Sequence, residues 1–221
     1  SSPELKLEGE GHADILDFVS GVPETFIGQL KFNKILLRPD GLFERPVEFA
    51  NSIMDFRYSL SGSMMEIGQL LLNSDGVQLT SSGSIHSQET GWNINLDVRS
   101  ELIDYTSLLD LWPTNFKPKS RLWFSENVKF GKITNAISSI RVSPEEDLQS
   151  MTTFDFVDAE IQVLKNHPNI KGGFGYGTIK NNKFFVKLDS GKVDGLNGRK
   201  IDLSGSDFFV ADTTQKPAIG K

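Results

Sequence analysis

Three histidines, a run of carboxylates, an acidic strand pattern, a glycine-rich hexapeptide and a basic stretch are the places where this chain could do chemistry. His12, His86 and His167 lie far apart, each in turn-like or strand-end sequence. None has the paired spacing that a metal site needs, so surface histidines are the simpler reading. Glu145, Glu146 and Asp147 form a carboxylate cluster, but in a polar connection opened by Pro144, where solvation is the default. Asp155, Asp158 and Glu160 fall in a strand-like pattern, which reads as a wet face rather than an acid–base pair. Gly172 to Gly177, GGFGYG, is followed by neither a helix nor a Lys-Ser/Thr pair, so it does not read as a phosphate cradle. Close backbone packing or a strand kink accounts for it. No Gly-x-Ser-x-Gly nucleophile elbow occurs. Lys117, Lys119 and Arg121 carry the charge to meet a lipid headgroup, or are solvated helix ends. No constellation supports an enzymatic mechanism, and neither metal nor cofactor is expected.

The basic residues belong to the one passage that does not read as strand, Leu111 to Gly131, LWPTNFKPKSRLWFSENVKFG. Before it, Asp104 is a plausible N-cap, Leu108, Leu111 and Trp112 fall at helical spacing, and Ile103 is placed to staple onto Leu108. Pro113 should end that helix, because its ring biases Trp112 away from helical geometry. Pro118 suits the first position of a second helix, expected over KSRLWFSENV and closing near Gly131. Two short helices near residues 104–128 result.

The rest alternates. Leu5 and Leu7 oppose Lys6 and Glu8, and DILDFVSG follows as a turn or helix piece closed by Gly21. Phe26, Leu30, Phe32 and Leu36 share one face of a strand, with Gln29, Lys31 and Asn33 on the other. Met54, Phe56, Tyr58 and Leu60 oppose Asp55, Arg57 and Ser59. Trp92, Ile94, Leu96 and Val98 oppose Asn93, Asn95, Asp97 and Arg99. Beyond the helices, SPEEDLQS reads as a polar connection, and Val157, Ala159, Ile161 and Val163 set the face of the next strand. Asn181-Asn182 turns the chain into a strand with Phe184, Val186 and Leu188 inward. Asn197-Gly198 is a strong hairpin signal before a strand over Lys200 to Val210.

The chain has 221 residues, 23 Lys+Arg against 29 Asp+Glu, and a pI near 5.1. That balance argues against a nucleic-acid partner, which would want a basic stripe. With no cysteine and 16 phenylalanines, disulfides are excluded and large apolar faces are implied. No apolar run approaches the length of a membrane span, and no signal peptide is visible. The abrupt start at Ser1 and end at Lys221 suggest a segment of a longer protein.

An antiparallel meander follows from strands joined by short turns. A sandwich or closed barrel would pack the apolar faces together. An open, curved sheet would leave them lining a groove, at a cost of about 25 cal/mol per Å² left in water. On the residues alone the closed form is favoured.

The order of motifs adds to this. The passage through Trp112, Pro113, Lys117, Pro118, Lys119, Arg121, Trp123, Glu126, Asn127, Gly131 and Ile133, with the later FDFVDAEIQVL and FFVKLDSGKVDGLNGRKIDLSGSDFFV, resembles the AsmA-like superfamily of bacterial envelope proteins, closest to its YhdP/TamB-related branch. The match covers the second half well and the first half only in style. It implies a mainly β fold, a long antiparallel twisted sheet open as a β-taco or groove. It also implies a non-enzymatic segment of a periplasmic bridge protein, anchored in the inner membrane through parts absent from this chain. Such a protein shields phospholipid acyl chains moving between inner and outer membranes, with envelope proteins as further partners. The chain would then be one segment, 1–221, of a repetitive β-groove protein: a first β segment (1–102), a helical insert (103–131) and a second β segment (132–221). By alternation, the lining would come from Leu30 and Phe32; Met54, Phe56 and Tyr58; Trp92, Ile94, Leu96 and Val98; Val157 and Ile161; Phe184 and Val186. The alternative functions are an all-β module recognising protein or glycan, and an enzyme on a β scaffold.

Overall fold

The computed structural model describes residues 4–162, 168–195 and 199–213. Among them are β1 (Leu5–Val19), β2 (Val22–Leu37), β3 (Val47–Ser59), β4 (Met64–Ser74), β5 (Val77–Gln88) and β6 (Gly91–Asp104). Two short helices follow, α1 (Tyr105–Leu111) and α2 (Pro118–Asn127). Then come β7 (Val128–Ser143), β8 (Glu146–Ile161), β9 (Ile170–Lys180), β10 (Lys183–Asp194), β11 (Lys200–Asp202) and β12 (Asp207–Val210). The strands form one antiparallel sheet in chain order from β1 to β11, with β12 beside β10, and the sheet is not closed. Of the two closed forms favoured on alternation alone, sandwich or barrel, the closed barrel is therefore not formed.

Turn chemistry sets this order. Ser20-Gly21 and Asp75-Gly76 join strands through two residues that both have positive φ, the geometry whose twist matches flanking antiparallel strands. Asn181, at φ 52, turns β9 into β10 as expected.

The chain divides into two compact units. One comprises Ser1–Asp40, Arg45–Ser100 and Ser138–Ser150; the other comprises Gly41–Glu44, Glu101–Ile137 and Met151–Lys221. In the first, the buried residues Ile35, Leu36, Val47, Phe49 and Val77 concentrate toward one end of β2, β3 and β5, and Ile67 is buried within β4. At the other end Ile15, Val22, Leu60 and Trp92 are exposed. In the second, Phe156, Ala159 and Leu188 form the centre, with Phe154, Ile161, Ile170, Val186 and Leu203 packed around them.

The helices start as expected. Asp104 caps α1, accepting from the Thr106 and Ser107 backbone N–H groups at 3.0 Å each. Trp112 is extended before Pro113, and Pro118 opens α2. The second helix stops at Asn127, however, rather than near Gly131. Gly131 lies inside β7 and is buried, with the Ala159 backbone too near for a larger residue.

Three further segments differ from the sequence expectation. DILDFVSG is strand to Val19, pairing Val19 with Val22; an irregularity near Asp17 breaks the alternation that would have shown it. The polar EDLQS is already part of β8, because an exposed hairpin needs no apolar alternation. Lys200 to Val210 is two strands, interrupted where Gly205 turns at φ 82. Val163, His167 and the Asn197-Gly198 turn lie outside the described residues.

Candidate functional site

Cross-strand register decides which side chains share a face, because directly paired residues project to the same side of a sheet. In the first unit Ile15 pairs Phe26, Phe26 pairs Tyr58, Tyr58 pairs Met65, Met65 pairs Ile85, and Ile85 pairs Ile94. This is an unbroken apolar row across six strands, about 24 Å at ordinary strand spacing. The next rows run Ala13, Gly28, Phe56, Ile67, Gly83, Leu96 and Gly11, Leu30, Met54, Leu70, Ser81, Val98. On the reverse face, the row Asp14, Ile27, Arg57, Glu66, Ser84, Asn95 is mostly polar.

Leu30, Phe32, Met54, Phe56, Tyr58, Trp92, Ile94, Leu96 and Val98 all lie on this one apolar face. Eight of them are half-buried, and Trp92 is 58% exposed. Gly28 and Gly83 in the second row leave no room for a side chain. A Cβ on Gly28 would meet the His12 carbonyl, and one on Gly83 the Asn95 carbonyl. Glycine at such points lets a sheet bend.

The period of two is not kept by simple alternation. An extra residue flips every later side chain, and besides the irregularities near Asp17 such insertions recur within β2, β3 and β4. Asn33 is extra on β2 relative to β1, Asn51 is extra on β3 relative to β4, and Gly68 is extra on β4 relative to both its neighbours. Asn51 takes a left-handed φ of 49. After Asn33 the apolar face therefore continues through Ile35 and Leu37, paired with Phe49 and Val47. Leu36, expected beside Phe32, pairs Lys6 and Glu48 on the reverse face.

In the second unit Phe154 and Phe156 pair Gly177 and Gly175, which pair Val186 and Leu188. The Phe154 and Phe156 rings occupy the space that side chains on Gly177 and Gly175 would need. This is the physical role of the glycine-rich strand: small residues on one face beneath aromatic rings, with Phe174 and Tyr176 exposed on the other. Asp158, at φ 52, shifts the register so that Ala159 and Ile161 rejoin the face of Phe154 and Phe156. Ile161, Phe184 and Val186 thus share a face, and Val157 lies on the other, opposite to the alternation expected from sequence. The Trp123 ring of α2 stands 6.5 Å from that of Phe184, giving this face helical cover.

The polar candidates are engaged elsewhere. Arg121 is buried; its Nη1 donates to Glu44 Oε1 at 2.8 Å, its Nη2 to the Leu109 carbonyl at 3.0 Å and its Nε to the Trp112 carbonyl at 3.1 Å. Lys117 Nζ donates to Asn182 Oδ1 at 2.8 Å. Thr114 binds the Gly41 and Leu42 carbonyls, which holds the 41–44 loop to the helix pair. Asp155 accepts from Asn135, and Glu160 from Asn169. His86 meets Gln88 at 3.2 Å, and His12 stands on the reverse face of β1. Among the described residues no three His, Asp or Glu side chains form a group suited to a metal. The Ser139 hydroxyl and the Arg141 guanidinium hold the Asp97 carboxyl below the usual carboxylate range.

Sequence reasoning missed the role of Arg121, since a cation within KPKSR carries no mark of burial. It also missed the bulges, although Asn51 and Asp158, interrupting otherwise apolar-alternating runs, were a readable signal of left-handed backbone. No protein-family model, curated protein or solved structure matches the chain.

Proposed function

We propose that this chain is a non-enzymatic segment of an AsmA-like bridge protein, one that shields phospholipid acyl chains on the apolar face of its sheet. The observation that carries the reading is the row from Ile15 to Ile94, six apolar side chains on six consecutive strands, none of them buried. A face of that extent left to water would be costly at about 25 cal/mol per Å². An acyl chain covers it with about 0.8 kcal/mol per buried CH₂ and no directional demand. Leu, Ile, Met and Phe give dispersion contact that is nearly uniform from row to row, so a tail slides with little net change in energy.

The envelope setting, with the protein in the periplasm and an inner-membrane anchor outside this chain, rests on the sequence resemblance centred on Trp112 to Ile133. No catalytic step is assigned. The test is mass spectrometry of organic extracts from the purified chain. Phospholipid at a reproducible molar ratio is expected. Its absence, with a protein or glycan ligand retained instead, would favour a recognition module and overturn the lipid reading.

A further inference from the structure

The glycines of GGFGYG serve the face of Phe154 and Phe156, but the residues between them point the other way. Phe174 and Tyr176 are 48% and 41% exposed on the reverse face of β9. Phe185 of β10 joins them there, its ring centroid 6.2 Å from that of Tyr176. Rings gathered on one exposed face, unlike scattered ones, mark a recognition surface. We propose that this reverse face of β9 and β10 is a platform for a neutral saccharide chain. The proposal stands independently of what occupies the apolar face.

Each ring has a hydrogen-bonding neighbour in the ladder. Phe174 pairs with Ser190, Phe185 pairs with Thr178, and Tyr176 lies between Asp155 and Lys187. Alternate residues on a strand stand about 6.7 Å apart and neighbouring strands about 4.8 Å apart, so rings and polar groups interleave at the scale of one sugar unit. A sugar ring divides in the same way. Its C–H face stacks on an aromatic ring, and the hydroxyls at its edge both donate and accept. Among the described residues no hydrogen bond engages the Tyr176 hydroxyl or the Lys187 ammonium. Asp155 uses only Oδ2 toward Asn135, which leaves Oδ1 to accept.

Charge selects the occupant. Lys180, Lys183 and Lys187 share this face with Asp155 and Asp207, so it carries little net charge. The two aspartates oppose an anionic bilayer or nucleic acid, and the lysines oppose a basic peptide. An acyl chain would have to desolvate both signs. A neutral ligand rich in hydroxyls pairs with both.

Isothermal titration calorimetry of the whole chain with the neutral hexasaccharides cellohexaose, maltohexaose and chitohexaose tests this. Saturable binding of at least one is expected. Phe174→Ala and Tyr176→Ala should each weaken it about tenfold, and Lys187→Ala about threefold. Tyr176→Phe keeps the ring without the hydroxyl and should fall between Tyr176→Ala and the unaltered chain. Phe174 and Tyr176 are exposed, and circular dichroism checks that each variant folds. No binding of any of the hexasaccharides, or binding indifferent to both Phe174→Ala and Tyr176→Ala, would overturn the proposal. So would binding of phosphatidylglycerol vesicles that Tyr176→Ala abolishes, with no saccharide bound, which would assign the face to a bilayer.

Discussion

Asn33 on β2 and Asn51 on β3 stand opposite one another, flanked by the pairs Phe32–Ser52 and Lys34–Ala50. Each is extra relative to the strand on its outer side. Their joint insertion moves Ile35 and Phe49 onto the face of Phe32 and Met54, which would otherwise carry Lys34 and Ala50. Asn51 is exposed and left-handed, so its cost is backbone conformation rather than packing. Asn51→Val should lower stability by about 2 kcal/mol, because a β-branched residue resists that conformation. Asn51→Gly should leave it within about 0.5 kcal/mol. Urea midpoints measure both, and a neutral Asn51→Val would mean the bulge does not hold the register.

Arg121 joins α1, α2 and the 41–44 loop through one guanidinium. Its ion pair with Glu44 is exposed on the Glu44 side, 60% against 10% for the arginine, so solvent screens it and it is worth under about 1 kcal/mol. The bonds to the Leu109 and Trp112 carbonyls weigh more, since losing them strands helix-end acceptors beside a buried gap. Arg121→Ala should destabilise by about 3 kcal/mol and Glu44→Gln by under about 1 kcal/mol. Arg121→Lys should fall between, keeping the charge without the fork. Denaturant titration of the three variants gives the order.

Burial pushes the Asp104 carboxyl up, but hydrogen bonds from Thr106 and Ser107 outweigh it and hold it at about 2, against an ordinary 3.8. A carboxylate depressed in the folded state adds stability that is complete above the unfolded value and lost as pH falls through the folded one. The cap's ionic part should therefore be intact at pH 6 and fade between about pH 4 and pH 2. Asp104→Ala should cost about 1 kcal/mol at neutral pH. Asp104→Asn should retain part of the cap and flatten the dependence over that acid window, read by thermal unfolding against pH.

The strands and helix starts were legible because turn glycines, Pro118 and Asp104 act locally. Where alternation held without interruption, as from Trp92 to Val98, the face was read correctly from spacing alone. It failed where one residue was added: Leu36 and Val157 changed sides because Asn33 and Asp158 lie just before or beside them. The row from Ile15 to Ile94 could not be read at all from sequence, since it joins residues from six strands through registers that only pairing fixes. Arg121 was illegible for a related reason, as its partners at Leu109, Trp112 and Glu44 are brought to it by the fold.

The most direct measurement compares neighbours that face opposite ways. Lipid bound to the chain is quantified by crosslinking in Phe56→Asp and Leu96→Asp, on the apolar face, and in Arg57→Asp and Asn95→Asp, on the reverse face, using variants whose unfolding midpoints show them folded. A carboxylate placed in the path of an acyl chain is costly to desolvate, so the first pair should lose lipid on the order of tenfold while the second pair retains it. Equal loss from both faces, or no lipid on the unaltered chain, would contradict the role assigned to the Ile15–Ile94 row.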